Sequence, residues 1–419
     1  MLNDWVYIVF INSIIKMKKS IFLLIGLILF ACKEEQTESQ RNKDLITIDF
    51  ESSLVDKLKF SQFVDTIEFI PLETTDRNLI AEVRRIIYDD EKYYIRTTRS
   101  IQNANLFVFD KKGKYLWGLN KRGNGPGEYN DFVDFSITEN QIHVISFFKF
   151  ISYDKQGEFI KESKIELENQ VKEFVPINDT TFLALVFRTR SNDLNFLFRM
   201  NDDGKVEKRF FQRNESEARA NDYRIHGKGI DLWNNIYYFN HPFSDTIFQI
   251  QEENVRPMFY VNYGDKAIPG NLLELSDPYN IINEKLSRLD DYFYINSFGI
   301  ADHYIYVCSS NKVYQSFLTL YSRKTGKSIS TRKIEDDMIL KGMILPITIK
   351  KMPHNSDNGD ILWEVEPSYL IEGYRKYMSN LSEPRRAEFK SKYPDLVKMC
   401  TTLKEDDNPV LLRIKVKEF

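Results

Sequence analysis

The sequence has few cysteines, glycines and prolines, and it has no excess of basic residues. Only 3 Cys occur among 419 residues, too few for a disulfide framework. Lys and Arg number 58 against 61 Asp and Glu, a formal net charge of −3, which argues against a nucleic-acid partner. Gly (17) and Pro (13) are scarce, whereas 31 Phe and 23 Tyr bring the aromatic share to 14%. Many aromatic and β-branched residues with few long helical segments are typical of an all-β fold.

The most informative segment surrounds Cys32, near the amino terminus. A basic stretch at 16–19 precedes an apolar run at 21–30, and Ala31 and Cys32 follow. This order is typical of a secretory signal, and the apolar run is too short to span a bilayer comfortably. A small residue followed by Cys resembles a bacterial lipobox, whose Cys carries the acyl chains of a lipoprotein. We therefore predict a signal peptide over 1–31 and lipidation at Cys32, with an uncleaved apolar anchor or an unlipidated signal as the alternatives.

The residues on either side of this segment refine the prediction. Met17 lies within the basic stretch and resembles a natural start, which would make 1–16 an extension outside the protein. Residues 32–43 are polar and charged, as expected of a lipidated tether. Lys33-Glu34-Glu35 resembles the signal that sends lipoproteins of Bacteroidota to the outer face of the outer membrane, although charged tethers are also common. The predicted location is the outer membrane, lipid-anchored and exposed at the cell surface.

Apolar runs and polar turns recur along residues 44–419. Hairpin turns at Gly113, Gly157 and Gly204 are 44 and 47 residues apart. A period in the forties built from short strands fits the four-stranded blade of a β-propeller. Six apolar runs precede the hairpins, at 93–95, 142–145, 181–185, 235–239, 304–307 and 361–365. The pattern predicts an all-β, six-bladed propeller over 44–419.

The ends of the repeat array need a closing strand. The alternating run at 410–416 supplies a C-terminal strand, and unassigned strands lie at 45–50 and 66–70. We expect an N-terminal strand to complete the last blade, because an open ring would leave sheet edges unpaired. Segments 276–289 and 367–403 break the period and predict helical insertions in the late blades.

Three segments carry a resemblance to a known family. Residues 69–75, the Gly-rich loop 122–129 and residues 406–410 are similar to segments of the six-bladed β-propeller lipoproteins of Bacteroidota. The resemblance implies a propeller of the NHL-repeat kind. It implies no particular reaction.

The Gly-rich loop is also the candidate ligand site. Its glycines permit unusual backbone conformations, and Arg122, Glu128 and Tyr129 could contact a ligand. Arg122 would supply charge-assisted hydrogen bonds, and Tyr129 a stacking surface. Glu128 would accept hydrogen bonds from a ligand or hold Arg122 in place. The competing interpretation is a purely structural turn, because the loop lacks the context of a phosphate-binding motif.

Other motifs give little sign of catalysis. No two of the 5 His are three or four residues apart, so no helical metal pair exists, and His143 is expected to be a hydrogen-bonded core residue. No Gly-x-Ser-x-Gly elbow occurs, and no cofactor or metal is predicted. Cys308 and Cys400 could pair in an oxidising compartment, but free buried thiols are the simpler interpretation.

Three functions are compatible with these features. The first is a non-enzymatic surface lipoprotein that binds a protein, peptide or glycan on one propeller face, favoured by the anchor and the lack of a catalytic motif. The second is a propeller enzyme, a lyase or hydrolase, with its site at the mouth of the axial channel. The third is a subunit held against an outer-membrane transporter, which an exposed apolar patch would indicate.

Overall fold

The computed structural model describes residues 45–97, 104–188, 192–213, 228–241, 243–251, 254–268, 292–311, 315–348, 353–356 and 358–419. The residues from Ile48 to Phe419 form one compact unit. Cys32, the tether and the segment 276–289 lie outside the described residues, so the predictions made for them are untested. Within the described ranges, no helix has the length and apolar character needed to cross a membrane.

Strands dominate the described chain. The N-terminal elements are β1 (Ile46–Asp49), a 3₁₀ turn (Glu51–Ser53), β2 (Leu58–Lys59), α1 (Phe60–Phe63) and β3 (Val64–Pro71). The first repeat contains β4 (Val83–Asp89), β5 (Lys92–Thr97), β6 (Asn105–Asp110) and β7 (Tyr115–Leu119). The second contains β8 (Asp134–Ile137), β9 (Gln141–Ile145), β10 (Lys149–Asp154) and β11 (Phe159–Lys164). The third contains β12 (Gln170–Pro176), β13 (Thr181–Arg188), β14 (Asn195–Asn201) and β15 (Val206–Gln212).

The second half continues the same arrangement. The fourth repeat contains β16 (Ile230–Trp233), β17 (Ile236–Phe239), β18 (Thr246–Gln251) and β19 (Asn254–Asn262), followed by a 3₁₀ turn (Gly264–Lys266). The fifth contains β20 (Tyr294–Ile300), β21 (Tyr304–Ser310), β22 (Ser316–Ser322) and β23 (Ser328–Thr331). Then follow β24 (Lys333–Asp336), β25 (Met343–Pro346), β26 (His354–Asn355) and β27 (Ile361–Val365). The chain ends with α2 (Pro367–Ser379), α3 (Glu383–Lys392), α4 (Pro394–Thr402) and β28 (Val410–Val416).

These strands form a β-propeller with seven blades among the described residues, so the prediction of six blades is wrong. Six sheets have four or five strands, and the seventh has three, in the order β2-β24-β25. The seventh sheet escapes the repeat pattern because β2 has two residues and β24 and β25 have four each. It is also built from distant segments, since β2 pairs with β24 in parallel.

The predicted hairpins are present, and a polar side chain stabilises each turn. Asp110 Oδ1 accepts hydrogen bonds from the backbone N–H groups of Lys112 (2.8 Å) and Lys114 (2.9 Å). Asp154 and Asn201 make the same pair of bonds in the next two repeats. Gly113 has φ +82°, and a β-carbon there would lie 2.2 Å from the carbonyl oxygen of Pro71. Such a turn therefore requires glycine.

An N-terminal strand completes the last sheet, as predicted, but not the strand at 45–50. β28 pairs with β3, and Ile414 lies opposite Ile67. β1 instead lies at the outer edge of the fourth sheet, in the order β1-β19-β18-β17-β16. Phe50, just after β1, is 1% exposed, and its ring centroid lies 5.1 Å from that of Tyr263. Together with β2 in the seventh sheet, the N-terminal segment thus contributes strands to three blades.

The insertion at 367–403 is helical, as predicted. α2, α3 and α4 connect β27 to β28 within the last sheet. Ser382 is the N-cap residue of α3 and Pro384 lies in its first turn, but no side-chain capping bond forms. Phe389 packs against Tyr377, with ring centroids 5.2 Å apart, so α2 and α3 are joined by aromatic contact.

Candidate functional site

The Gly-rich loop between β7 and β8 is held by its own side chains. The backbone N–H of Gly125 donates to Glu128 Oε2 at 2.8 Å. Gly123 has φ +150°, and a β-carbon there would lie 2.0 Å from the same oxygen. The Glu128 carboxylate therefore fills the inside of the loop and holds the backbone of Gly125.

Neighbouring strands fix the rest of the loop. Tyr129 is 2% exposed, and its hydroxyl donates to the carbonyl oxygen of Leu119 at 3.1 Å. Burial raises the pKa of Tyr129 to about 12. The Tyr153 hydroxyl donates to the Gly127 carbonyl oxygen at 2.7 Å. Arg122 is exposed, and its backbone forms an isolated β-bridge with the backbone of Tyr129. The loop is wedged against the second sheet, and ligand contact by Arg122, Glu128 and Tyr129 stays an untested prediction.

A second group of residues lies on the first strands of the larger sheets. β8 contacts β12, β12 contacts β16, β16 contacts β20, β20 contacts β26, and β26 contacts β4, so these strands surround a common axis. These strands all begin at the same face of the propeller, and we call it the first-strand face. Six polar residues lie on these strands or just before them and form the axial cluster: Arg85, Asp134, Glu173, Lys228, Asp231 and His354.

Arg85 and Asp134 form a buried ion pair between the first two blades. Their side chains are 13% and 6% exposed. Asp134 Oδ2 also accepts the backbone N–H of Phe174, on β12, at 3.1 Å. Burial raises the pKa of Asp134 to about 6, although the Arg85 charge opposes the shift. One carboxylate thus connects three consecutive blades.

The same kind of connection recurs at the next two blade interfaces. Glu173 Oε2 accepts the backbone N–H of Gly229 at 2.7 Å. Asp231 Oδ2 accepts the backbone N–H of Ile300 at 2.9 Å, and its other oxygen pairs with Lys228. Each carboxylate therefore accepts a backbone hydrogen from the first strand of the following blade or from the residue leading into it. A principal role of these three acids is structural.

Two groups of the cluster lack hydrogen-bond partners within the described residues. Glu173 is 6% exposed, and its Oε1 has no donor. The His354 ring makes no hydrogen bond to the described residues, and part of its surface stays open to solvent. Burial lowers the pKa of His354 to about 3, helped by the charges of Lys228 and Arg85. A neutral imidazole and a carboxylate oxygen are thus left for another partner.

Sequence reasoning missed this cluster, although a weak signal exists. Asp134, Glu173 and Asp231 are each followed directly by an apolar residue, in Asp-Phe, Glu-Phe and Asp-Leu. One such residue occurs in each of three consecutive repeats. Because buried charges are rare unless paired, their recurrence in apolar strands could have indicated contacts between blades.

Other sequence-based expectations concern single residues. His143 is a core residue, as predicted, and its Nδ1 lies 2.9 Å from Ser152 Oγ. Cys308 and Cys400 are buried free thiols. His226 lies outside the described residues. Among the residues that are described, no three His, Cys, Asp or Glu side chains are grouped so as to hold a metal ion.

The sequence matches one family model over most of its length. A model described as a domain of unknown function, DUF4934, matches residues 45–415. The chain belongs to the DUF4934 family. The match shows neither an NHL-repeat nor a lipoprotein family, so the expected resemblance holds only for the propeller fold. Among curated proteins, no sequence matches this DUF4934 chain.

One solved structure shares the fold of this chain. An exported protein of Bacteroides fragilis aligns with a TM-score of 0.64 and 17% identity, over 89% of this chain and 99% of that one. The extracellular domain of a one-component system of B. thetaiotaomicron aligns with a TM-score of 0.38 and 12% identity, over 72% of this chain and 32% of that one. Virginiamycin B lyase of Staphylococcus aureus aligns with a TM-score of 0.39 and 12% identity, over 71% of this chain and 81% of that one. The first likeness concerns the fold alone, and the other two are too weak to support an argument.

Proposed function

We propose that this protein is an exported, non-enzymatic lipoprotein of the cell envelope that binds a ligand on its first-strand face. Export is supported by the predicted secretory signal around Cys32 and by the fold shared with the exported protein of Bacteroides fragilis. Support for anchoring at Cys32 and for exposure on the outer membrane comes from the lipobox-like pair Ala31-Cys32 and from Lys33-Glu34-Glu35. The ligand is a protein, peptide or glycan.

One observation supports this location of the binding site. Within the axial cluster, the His354 ring and Glu173 Oε1 have no hydrogen-bond partner among the described residues. Glu173 Oε1 is a buried atom, and leaving a buried polar atom without a partner costs about 1–3 kcal/mol. A ligand that donates to this carboxylate would remove that cost, and the unprotonated imidazole nitrogen of His354 would supply a second acceptor. The remaining charges of the cluster are paired, so the ligand is expected to be rich in hydroxyl or amide groups rather than strongly charged.

The binding test compares two histidines. His354 lies on the first-strand face, whereas His303, with a side chain 56% exposed, lies in the turn after β20 on the opposite face. The full chain is first screened on glycan and peptide arrays, and the best ligand is then titrated by calorimetry. We expect His354→Ala to weaken binding about tenfold, roughly the loss of 1.4 kcal/mol, and His303→Ala to leave it unchanged. Equal affinities of all three proteins would refute the axial site.

A second candidate is an enzyme with its site at the same place. It is favoured by Asp134, whose pKa is raised to about 6 by burial, and by the neutral His354, because shifted pKa values gather at catalytic sites. Asp134 is nevertheless engaged by Arg85 and Phe174, which leaves it poorly placed for proton transfer. Turnover of an array ligand, with a rate that falls in Asp134→Asn, would favour this candidate over simple binding.

A further inference from the structure

A group of aromatic rings lies where the third and fourth sheets meet. Phe211, near the end of β15, packs against Phe239, His241 and Phe248 of the next sheet. The ring centroids lie 5.2, 5.1 and 4.9 Å from that of Phe211. Because strands alternate in direction, the ends of β15 and β17 and the start of β18 lie on the first-strand face.

The backbone at Phe211 is strained. Its φ is +52°, a left-handed conformation that is unusual for a bulky residue. Such outliers persist where the surroundings impose them, and they are concentrated at ligand-binding sites and active sites. The conformation aims the Phe211 ring across the blade interface instead of along its own sheet.

Packing alone gives an incomplete explanation for this strain. Phe239 is fully buried, but Phe211, His241 and Phe248 remain half-buried. The ring centroids of His241 and Phe248 lie 5.7 Å apart, and the two rings are tilted by 33° relative to each other. A strained residue that served only the core would be expected to reach full burial. Here three aromatic rings keep part of their surface open.

We propose that Phe211, His241 and Phe248 form a stacking site for a sugar ring, an inference that rests on the proposed function and specifies its ligand as a glycan. A sugar presents an apolar C–H face to aromatic rings and hydroxyl groups at its edge. The exposed Gln212 amide supplies a polar group beside the rings. Binding sites of this kind combine aromatic surfaces with a few polar groups.

The test uses the full chain on a glycan array, followed by calorimetric titration of the best-bound oligosaccharide. Phe211→Gly removes the ring and adopts positive φ without strain, so the fold is expected to survive. We expect at least a tenfold loss of oligosaccharide affinity. Phe148→Ala is the control, because Phe148 is a 69% exposed aromatic residue on a different sheet. It is expected to bind like the wild type, and melting temperatures verify that all variants fold.

The outcomes separate this inference from the proposed function. Loss of binding in Phe211→Gly but not in Phe148→Ala supports the stacking site. Unchanged affinity in Phe211→Gly, together with loss in His354→Ala, overturns the stacking site and leaves the axial site standing. Binding of peptides but of no glycan also overturns the stacking site alone. Failure of the wild type to bind either array overturns both.

Discussion

Removal of the Asp134 carboxylate should destabilise the whole propeller. Asp134→Ala leaves Arg85 as a buried charge without its partner, and it leaves the Phe174 N–H without its acceptor. Breaking a buried ion pair from one side costs about 3–5 kcal/mol, and an unsatisfied backbone donor costs about 1–3 kcal/mol. The two costs overlap because one carboxylate serves both groups, so we expect a loss of about 3–5 kcal/mol in the free energy of unfolding.

Matched variants isolate the contribution of the pair. Asp134→Asn keeps an acceptor for Phe174 and should lose less than Asp134→Ala. The double variant Arg85→Met/Asp134→Ala should recover part of the loss, because a buried ion pair replaced by apolar groups is often tolerated. Glu418→Ala is the surface control, since Lys324 and Glu418 are 67% and 45% exposed, and we expect no measurable change.

Urea unfolding, followed by tryptophan fluorescence, measures these differences. Trp117, Trp233 and Trp363, which lie in the propeller, serve as probes. The reasoning would be refuted if Asp134→Ala lost less than about 1 kcal/mol, far below the cost of an unpaired buried charge. It would also be refuted if the double variant lost the full sum of the two single losses, since no coupling would then exist between the partners.

Four further predictions follow from the same structure. The pKa of His354 is lowered to about 3, so the unfolded chain binds more protons than the folded chain below about pH 6.5, and stability falls on acidification. His354→Asn should therefore flatten the dependence of the unfolding free energy on pH between pH 4 and 7. An unchanged dependence would contradict this. Deletion of 66–70 should abolish cooperative unfolding because β28 loses its outer partner, and a retained sharp transition would show that closure is dispensable. Cys32→Ser should abolish fatty-acid labelling in a bacterial host, whereas equal labelling would exclude the lipid anchor. Gly123→Ala should lower the melting temperature, because its β-carbon would lie 2.0 Å from Glu128; an unchanged value would show that the loop yields easily.

The repeats of this chain could be predicted because each hairpin carries its own local signal. A polar residue and a glycine mark the turns after Asp110 and Asp154, and the apolar strands on either side follow the repeat period. The seventh blade could not be predicted in this way. Its parallel pairing joins Leu58 to Ile334, and no local pattern records a contact between residues so far apart in the sequence.

The candidate site residues likewise differ in whether the local sequence indicates them. The sequence drew attention to Arg122, Glu128 and Tyr129 because glycines make a loop conspicuous, yet the Glu128 and Tyr129 side chains face the protein. His354 gave no local signal. Its environment depends on Arg85 and Lys228, which are brought near it only when the ring of first strands closes. Tertiary placement, rather than residue type, makes it a candidate.

The affinity of His354→Ala for a ligand found on the arrays tests the central claim most directly. The axial site on the first-strand face predicts that this variant binds about tenfold more weakly than the wild type while it keeps the same melting temperature at neutral pH, where the imidazole is uncharged. His303→Ala should bind as the wild type does. Wild-type affinity in His354→Ala would contradict the claim that ligand binding occurs at the axis of this propeller.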